Sequence, residues 1–320
     1  MLFFVQTASH AYTVAALDGV ATALSYDALF AAATVPAGTY VFTDIERLTA
    51  HERALAAAAY RVIGTAAGCR VLNDPARVRG RYPLLRALHR DGTHGFDIHR
   101  ADDAPRPARF PVFLKQEAAH APALSGLLEN QHALERALAE LEAAGQPLDG
   151  VLVIGYAAEP VRPGIWRRHT GFRIGDAVLL DMPVTEATWC VKAGTVGLAD
   201  AAMYREDDAM IRANHHARAL RHAFATARIE YGRADFGLVG GRPQFYEINT
   251  NPHLPVPEEP HPDATRQATQ DFAGARLFAA IAALDTAPGN GPADAPPVAL
   301  DHALLAAQRA NGVGVMAWRP

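Results

Sequence analysis

The chain has 320 residues, of which 50% are hydrophobic and 20% charged, enough to bury a core and to form two or three subdomains around a cleft. Its net charge of −4 gives no overall positive field, which excludes nucleic acid and anionic membrane lipids as expected partners. Cys69 and Cys190 are the only cysteines, so a disulfide framework and a paired-cysteine zinc site are excluded, and a reducing cytoplasm suits the chain.

The first 75 residues predict a small α/β unit. We interpret the apolar run Leu2–Val5 as a core strand and not as a signal peptide, because it is short and lacks a basic leader. An alanine-rich helical stretch separates it from a second strand at Tyr40–Phe42; a helix over 51–65 and a short strand at Val71 and Leu72 follow. This alternation favours a parallel or mixed sheet. No stretch approaches the roughly 20 apolar residues that span a bilayer, so a soluble, cytoplasmic protein is expected.

Two helices and two strands are predicted over 76–155. A basic helical segment over 76–90 is kinked or restarted at Pro83. Pro111–Lys115 predicts a strand that ends on a cation, Ser125–Ala144 predicts a helix capped by Ser125, and Val151–Ile154 predicts a buried strand. The arginines of the first segment are interpreted as a solvated helix face: Arg77, Arg79, Arg81 and Arg86.

Hairpins and helices are predicted for the remainder of the chain. They are a hairpin over 172–180, a long helix over 206–227, a second hairpin over 229–248, a closing helix over 271–284 and a short helix over 302–310. Residues 285–297 are rich in proline and glycine, which predicts a flexible linker before that last helix.

The second hairpin carries the residues that suggest chemistry. Side chains alternate along a strand, so Arg233 and Asp235 share one face, and Glu247 and Asn249 share one face of the return strand. A three-residue loop places Asp235 opposite Glu247 and Arg233 opposite Asn249, whereas a two-residue loop turns the two acids to opposite faces. The expected loop is Gly240, Gly241 and Arg242, with Val239 paired to Pro243.

Two carboxylates that face each other on paired strands repel unless a positive charge compensates them. Oxygen ligands from Asp235, Glu247 and an amide suit Mg²⁺, which takes its remaining ligands from water and phosphates. Arg233 beside them suits a phosphoryl group or a developing anion. The alternative is a surface hairpin with solvated acids, but the full string around these residues favours the metal site.

The segment from Arg233 to Pro252 resembles the C-terminal signature of the ATP-grasp superfamily, with Arg-x-Asp-Phe-Gly, a glycine turn and Glu-Ile-Asn-Thr-Asn-Pro. It is similar to the segments of D-alanine–D-alanine ligases and glutathione synthetase-like carboxylate–amine ligases. The resemblance covers roughly residues 76–284 and includes uncharacterised bacterial ATP-grasp proteins. It implies an α/β (α+β) fold in which two α+β subdomains hold the nucleotide after an N-terminal pre-ATP-grasp unit. The domains implied are an N-terminal pre-ATP-grasp domain (1–75), a central ATP-grasp subdomain (76–155), a C-terminal ATP-grasp subdomain with the metal site (156–284) and a linker and tail (285–320).

The resemblance also implies roles for individual residues. Two Mg²⁺ ions, with Mn²⁺ as the alternative, are expected on Asp235, Glu247 and Asn249. The residues expected to bind ATP are Lys115 and His120 at the phosphates and Val153, Ile154, Gly155 and Tyr156 at the adenine edge. The cations expected at the reacting groups are Arg233, Arg168 and Lys192. Trp189 is interpreted as core packing. From the residues alone, Arg167 and Arg168 are weighed equally as site cations and as surface charges in a loop between Pro163 and Gly171.

The function implied is an ATP-dependent ligase that activates a carboxylate as an acyl phosphate and joins it to an amine. Small-molecule acid and amine substrates are expected, an amino acid or peptide among them, and a homodimer is left open. One alternative is a kinase on the same scaffold that phosphorylates a small-molecule hydroxyl. The other is a nucleotide-binding protein without catalysis. Identical metal ligands serve the ligase and the kinase, so the sequence leaves the choice open.

Overall fold

The computed structural model describes residues 1–17, 19–118, 122–254, 260–285, 296–300 and 304. The first unit is a four-stranded parallel sheet in the order β2-β1-β4-β5. Its elements are β1 (Leu2–Gln6), β2 (Thr22–Ser25), α1 (Tyr26–Ala31), β3 (Thr34–Val35), β4 (Thr39–Phe42), α2 (Ala50–Thr65) and β5 (Arg70–Leu72). Helix α2 begins at a capping box, in which Thr49 and Glu52 each satisfy the backbone N–H of the other.

The alanine-rich stretch between β1 and β4 differs from its prediction. It forms a 3₁₀ segment, Ala8–Leu17, followed by strand β2 and the short helix α1. Alanine content alone favoured a helix, but β2 gains a parallel ladder with β1, with Phe4 paired to Ala23. Tertiary pairing therefore outweighs helix propensity here.

The second sheet is antiparallel, in the order β6-β8-β7. Its elements are α3 (Arg81–Arg90), β6 (Ile98–Arg100), β7 (Val112–Gln116), α4 (Gln131–Ala143) and β8 (Val151–Gly155). Leu134 and Leu138 of α4 pack against Leu114 and Val153 of the sheet. Helix α3 begins at Arg81, not at residue 76, so Pro83 lies in its first turn, where its missing N–H costs no hydrogen bond.

Helix α4 begins six residues later than predicted. Asn130 caps it, accepting from the backbone N–H of Ala133 at 3.0 Å. Ser125, the predicted cap, instead accepts from the backbone N–H of Leu114 at 2.9 Å, and Leu128 exchanges backbone hydrogen bonds with Val112. The predicted first turn is therefore used to extend the edge of β7.

The third sheet is antiparallel, in the order β11-β10-β12-β13, with β9 paired to β10. The elements of this part of the chain are β9 (Pro160–Arg162), β10 (Ile165–Ile174), β11 (Ala177–Glu186), α5 (Ala201–Arg212), α6 (Ala217–Ala227), β12 (Tyr231–Val239), β13 (Arg242–Asn249) and α7 (Ala264–Ala282). A last strand, β14 (Val298–Ala299), lies outside this sheet. Strand β14 pairs with β3 of the first unit. The predicted mixed α/β class is confirmed.

The single long helix predicted over 206–227 is wrong. Asn214 and His216 adopt positive φ values of 50° and 65° and separate α5 from α6. The Asn214 side chain accepts from the backbone N–H of Leu180 and donates to the carbonyl of Val178. These bonds to β11 stabilise the break, a long-range effect that helical periodicity does not reveal.

A continuous hydrophobic core joins the three sheets, because one cluster contains Phe42, Ile98, Ile154 and Phe236. Buried Asn73 reinforces this junction by donating to backbone carbonyls of both β4 and β12. Most of the predicted linker and tail helix, 286–295 and all but residue 304 of 301–320, lies outside the described residues. Within the described ranges, no helix is both long and apolar enough to cross a membrane.

Candidate active site

The β12–β13 hairpin pairs Asp235 with Glu247 and Arg233 with Asn249, as predicted. The predicted three-residue loop is wrong: Val239 pairs with Arg242, and only Gly240 and Gly241 form the turn. Both glycines have positive φ, 54° and 73°, the conformation that a tight two-residue hairpin turn requires and that glycine adopts without strain.

A β-bulge reconciles this short turn with the predicted pairing. The ladder steps from Phe236 opposite Phe245 to Asp235 opposite Glu247, so Tyr246 is an extra residue on β13. Without it, the two-residue turn would place the acids on opposite faces. The Tyr246 hydroxyl donates to the carbonyl of Ala157 at 2.9 Å, which anchors the bulge to the segment after β8.

Arginines compensate both carboxylates. Asp235 is 2% exposed and accepts from Arg168 Nη1 at 2.8 Å and from Arg233 Nε at 3.0 Å. Arg168 also donates to the carbonyl of Lys192 at 2.8 Å. Glu247 forms an ion pair with Arg81. The positive charge that the paired acids require is thus supplied by three side chains of the protein itself.

Arg81 is a site residue that the sequence analysis missed. It is buried and not part of a solvated helix face, and it donates to the carbonyls of Gln116 and Glu117 as well as to Glu247. Burial lowers the pKa of its guanidinium to about 10, although neighbouring acids act in the opposite direction. Its partners lie 35 or more positions away in the sequence, so the helical pattern of this segment did not reveal its role.

Arg167 and Arg168 are neighbours on β10 and their side chains go to different partners. Arg167 is buried and forms an ion pair with Asp207 of α5 at 3.2 Å. Arg168 binds Asp235. Alternation along the strand therefore gives the first arginine a structural contact and directs the second to the predicted metal ligands.

Lys115 and Lys192 bring two further cations to the same cavity as Asp235 and Glu247. Burial, followed by the charges of Arg81 and Lys192, lowers the pKa of Lys115 to about 7. Burial also lowers the pKa of Lys192. Such crowding of positive charge is unfavourable without an anion, so this end of the cavity is built to receive one.

The other end of this cavity is aromatic. Phe113 and Trp189 have ring centroids 4.9 Å apart, and Tyr156 packs edge-on to Trp189 at 5.8 Å. Trp166 Nε1 donates to the Tyr156 hydroxyl at 3.2 Å. Trp189 therefore lines the cavity, and its interpretation as core packing is wrong.

The residues predicted at the adenine edge divide between cavity and core. Ile154, Gly155 and Tyr156 line the cavity, whereas Val153 packs in the cluster under α4. The backbone N–H groups of Gly155 and Tyr156 donate to the carbonyls of Asp97 and Pro111. His120, predicted at the phosphates, lies outside the described residues.

The two ends form one cavity of about 840 Å³, counting the part open to solvent. We call it the main cleft. Its apolar end is formed by rings from β7, from Tyr156 directly after β8 and from Trp189, and its polar end by Lys115, Arg168, Lys192, Asp235 and Glu247. Such a volume accommodates a small-molecule ligand with an apolar part and an anionic part.

No protein-family model matches the sequence, and no curated protein matches it either. The chain is similar in fold to solved ATP-grasp proteins. The RimK domain ATP-grasp protein from Sphaerobacter thermophilus DSM 20745 is 16% identical, with a TM-score of 0.46 over 89% of this chain and 100% of that chain. The D-alanine–D-alanine ligase from Coxiella burnetii is 11% identical, with a TM-score of 0.49 over 98% and 96%.

The L-amino acid ligase from Bacillus licheniformis is 10% identical, with a TM-score of 0.43, and the match covers 92% of this chain and 77% of that chain. At these values, the chemistry of the site has to be inferred from the side chains of this chain.

The predicted metal ligands form an oxygen set that fits Mg²⁺. Asp235 and Glu247 are cross-strand partners, and the Asn249 amide lies two residues further on. The Asn249 side-chain oxygen accepts from the backbone N–H of Asn251 at 2.8 Å. Among the described residues, no group of three or more His, Cys, Asp or Glu side chains could hold a metal.

Proposed function

We propose that this protein is an ATP-dependent ligase that activates a carboxylate as an acyl phosphate and joins it to an amine. One observation carries the proposal: the main cleft joins an aromatic end to a cationic end at which two cross-strand carboxylates lie. An adenine ring suits the first end, a triphosphate the second, and Mg²⁺ the carboxylates.

The aromatic end supplies faces and edges for a planar base. Trp189, Phe113 and Tyr156 surround it, and Ile154 forms its apolar floor. The backbone N–H groups of Gly155 and Tyr156 are engaged within the protein, so recognition of the base edge in this proposal falls to the next residues, Ala157 and Ala158.

The cationic end supplies charge for the phosphates. Lys115 and Lys192 line it, and Arg168 lies between Lys192 and Asp235. Mg²⁺ would be held by Asp235, Glu247 and Asn249 and would neutralise phosphate oxygens. With that cation on the carboxylates, Arg81, Arg168 and Arg233 would be available for the transferred phosphoryl group.

The proposed reaction has two steps. A carboxylate oxygen of the first substrate attacks the γ-phosphorus, the bond to the β-phosphate oxygen breaks, and ADP leaves. The amine nitrogen of the second substrate then attacks the acyl carbon, phosphate leaves with the electron pair of the C–O bond, and the nitrogen loses a proton. Arg233 and Arg168 stabilise the negative charge of both steps, and no nucleophilic side chain is required.

Hydroxylamine trapping tests the proposal without knowledge of the natural amine. The purified protein is incubated with ATP, Mg²⁺, hydroxylamine and a panel of carboxylic and amino acids, and hydroxamate and ADP are measured. The ligase gives equal amounts of both for some acids. ADP formation with a phosphorylated hydroxyl product and no hydroxamate would support a kinase, and binding of ATP without turnover would support a non-catalytic protein.

A further inference from the structure

A second cavity adjoins the main cleft across Arg168, which lines both. We call it the lateral cavity. It contains about 1360 Å³ of space, counting the part open to solvent, between the third sheet and helix α7. Its polar lining includes Arg168, Thr170, Asp181, Arg233, Arg266 and Gln270. Neither the nucleotide nor the metal of the proposed function uses this space.

Sheet register aligns the lateral cavity with the metal carboxylates. Thr170 pairs with Asp181 on one side and with Asp235 on the other, and Asp235 pairs with Glu247. Directly paired residues point to the same face of a sheet, so these four side chains form one row. Two strand spacings of about 4.8 Å separate Asp181 from Asp235, roughly 10 Å in all.

Asp181 is a buried acid without an ion-pair partner. It is 8% exposed, and among the described residues no lysine, arginine or histidine lies within ion-pair distance of it. Burial raises the pKa of its carboxyl, and the backbone N–H of Met182 and three more distant arginines only partly oppose this effect. A buried carboxylate in this setting is costly unless a ligand supplies positive charge.

The nearby arginines are engaged elsewhere. Arg233 binds Asp235, and Arg266 forms an ion pair with Asp207 and donates to the carbonyl of Pro183. Arg276 donates to the carbonyl of Leu180. Their partners fix their positions, which leaves the face of Asp181 toward the cavity for a ligand.

A second acceptor lies in the same cavity. The side-chain oxygen of Gln270 is buried and has no hydrogen-bond partner among the described residues. A primary ammonium group carries three N–H donors and a positive charge, so it satisfies both acceptors. Arg168 and Arg233 line the same cavity, and with Mg²⁺ on Asp235 they would favour a carboxylate beside the ammonium group.

We propose that the lateral cavity binds an amino acid, with its ammonium group on Asp181 and Gln270 and its carboxylate directed to Arg168 and Arg233. This inference rests on the proposed function and names the class of the acid that is activated. An ammonium group held by a carboxylate has no free electron pair. The amino group bound here therefore belongs to the carboxylate donor and does not attack the acyl phosphate.

Matched acids that differ only in the amino group test this subsite. Hydroxamate formation is measured for alanine and propionate, phenylalanine and 3-phenylpropionate, and glutamate and glutarate, using both enantiomers of each amino acid. For the preferred side chain, we expect kcat/KM for the amino acid to exceed that of its partner at least about 100-fold. This comparison needs no variant.

Asp181→Asn then tests the residue, with Asp176→Asn as the control because Asp176 is exposed at the turn of the same β10–β11 hairpin. In Asp181→Asn, the KM for the amino acid should rise at least about tenfold while the KM for ATP changes less than about twofold. Asp176→Asn should match the wild type, and circular dichroism checks that both variants are folded.

The outcomes separate the subsite from the proposed function. The proposed subsite is refuted, and the ligase proposal stands, in either of two cases. In the first, the acids without an amino group react as well as the amino acids. In the second, Asp181→Asn leaves the KM for the amino acid unchanged. If no acid yields hydroxamate, the ligase proposal fails and the subsite falls with it. A preference for amino acids that is lost only in Asp181→Asn supports both.

Discussion

Arg81 and Glu247 form the ion pair that connects helix α3 to the return strand of the hairpin. Both are largely buried, so each needs the other in the absence of a ligand. In the proposed function, the same glutamate holds Mg²⁺. The negative charge of Glu247 therefore pairs with Arg81 and, in the proposed function, also binds Mg²⁺. A neutral side chain that still accepts a hydrogen bond from Arg81 separates these two roles.

Glu247→Gln should abolish Mg²⁺-dependent ATP consumption, with a loss of roughly 100-fold or more. Glutamine keeps an acceptor oxygen for Arg81, which also retains the carbonyls of Gln116 and Glu117, so the fold should persist. ADP production and circular dichroism measure the two effects. Glu142→Gln is the control because Glu142 is exposed on α4, and normal turnover in Glu247→Gln would refute the role of Glu247.

Lys115 gives the site a measurable proton linkage. Its pKa of about 7 lies below the ordinary 10.5 because the ammonium is buried among other cations. In the nucleotide-free protein, the unfolded chain binds this proton below about pH 10.5, whereas the folded protein binds it only below about pH 7. The free energy of unfolding therefore decreases as pH falls from about 10.5 to 7 and does not decrease further from this group below pH 7. The negative charge of a bound triphosphate would favour the ammonium form of Lys115 and raise its pKa.

ATP binding at pH 8 should therefore take up about one proton, because Lys115 is mostly neutral before binding and an ammonium afterwards. Calorimetric titrations in buffers of different ionisation enthalpy measure this uptake. Lys115→Arg is the matched control, since arginine is charged in both states and should bind ATP without the uptake. A binding heat that is the same in every buffer for the wild type would contradict the prediction.

At the level of elements, the bulged hairpin positions both ends of the main cleft. Its bulge residue Tyr246 lines the cleft and bonds to Ala157, while Asp235 and Glu247 lie beside it. Gly237 on β12 permits this arrangement, because a Cβ there would lie 2.1 Å from the Tyr246 hydroxyl. The absence of a side chain at Gly237 is thus a condition for the shape of the apolar end of the main cleft.

Gly237→Ala should displace Tyr246 and weaken ATP binding by roughly tenfold, since the hydroxyl cannot stay on Ala157 beside a methyl group. Tyr246→Phe removes the clashing oxygen, so the double variant should recover part of the affinity. Nucleotide titration of the two single variants and the double variant measures the coupling. Simple additivity of the two losses would show that the steric contact does not control the cleft.

The chemistry-bearing pairs of this hairpin could be predicted from sequence because side-chain alternation and the spacing of Arg233, Asp235, Glu247 and Asn249 are local properties. The bulge could not be predicted. The turn is one residue shorter than predicted and the bulge adds one residue to β13, so Asp235 still pairs with Glu247. The bulge is anchored by the hydrogen bond from Tyr246 to Ala157, two residues far apart in the sequence, so local patterns do not reveal it.

Partners distant in sequence account for the other differences. Arg81 lies 166 positions from Glu247, and Asn214 breaks a helix by bonding to a strand 34 positions earlier. Trp189 joins Phe113 and Tyr156 only in the folded chain. Composition and periodicity reflect residues that are close together in the sequence, so they do not predict contacts between residues this far apart.

At the scale of the whole molecule, a buried polar cluster connects the first sheet to the end of β13. Asp44 follows β4, is 1% exposed, and accepts from the backbone N–H and hydroxyl of Thr7 after β1. It also contacts His10 at 2.8 Å and accepts from the Asn251 side chain at 3.0 Å. Asn251 lies two residues after Asn249, so this cluster fixes the end of β13 against the first unit.

Asp44→Asn should destabilise the protein by about 2 kcal/mol, because its neutral amide cannot replace the charge-assisted bonds to Thr7, His10 and Asn251. Asparagine tolerates the φ of 54° at this position, so the change tests charge and hydrogen bonding without added backbone strain. Since Asn249 loses its neighbouring anchor, the Mg²⁺ concentration needed for half-maximal ATP consumption should rise several-fold.

Urea unfolding and Mg²⁺ titration of ADP production measure these two effects on the same preparation. Asp102→Asn, in the exposed loop before β7, is the control and should change neither quantity. If Asp44→Asn lowers stability but leaves the Mg²⁺ dependence unchanged, the cluster holds the first sheet in place without influencing β13. A parallel change in both would show that the first unit positions the β12–β13 hairpin through Asn251.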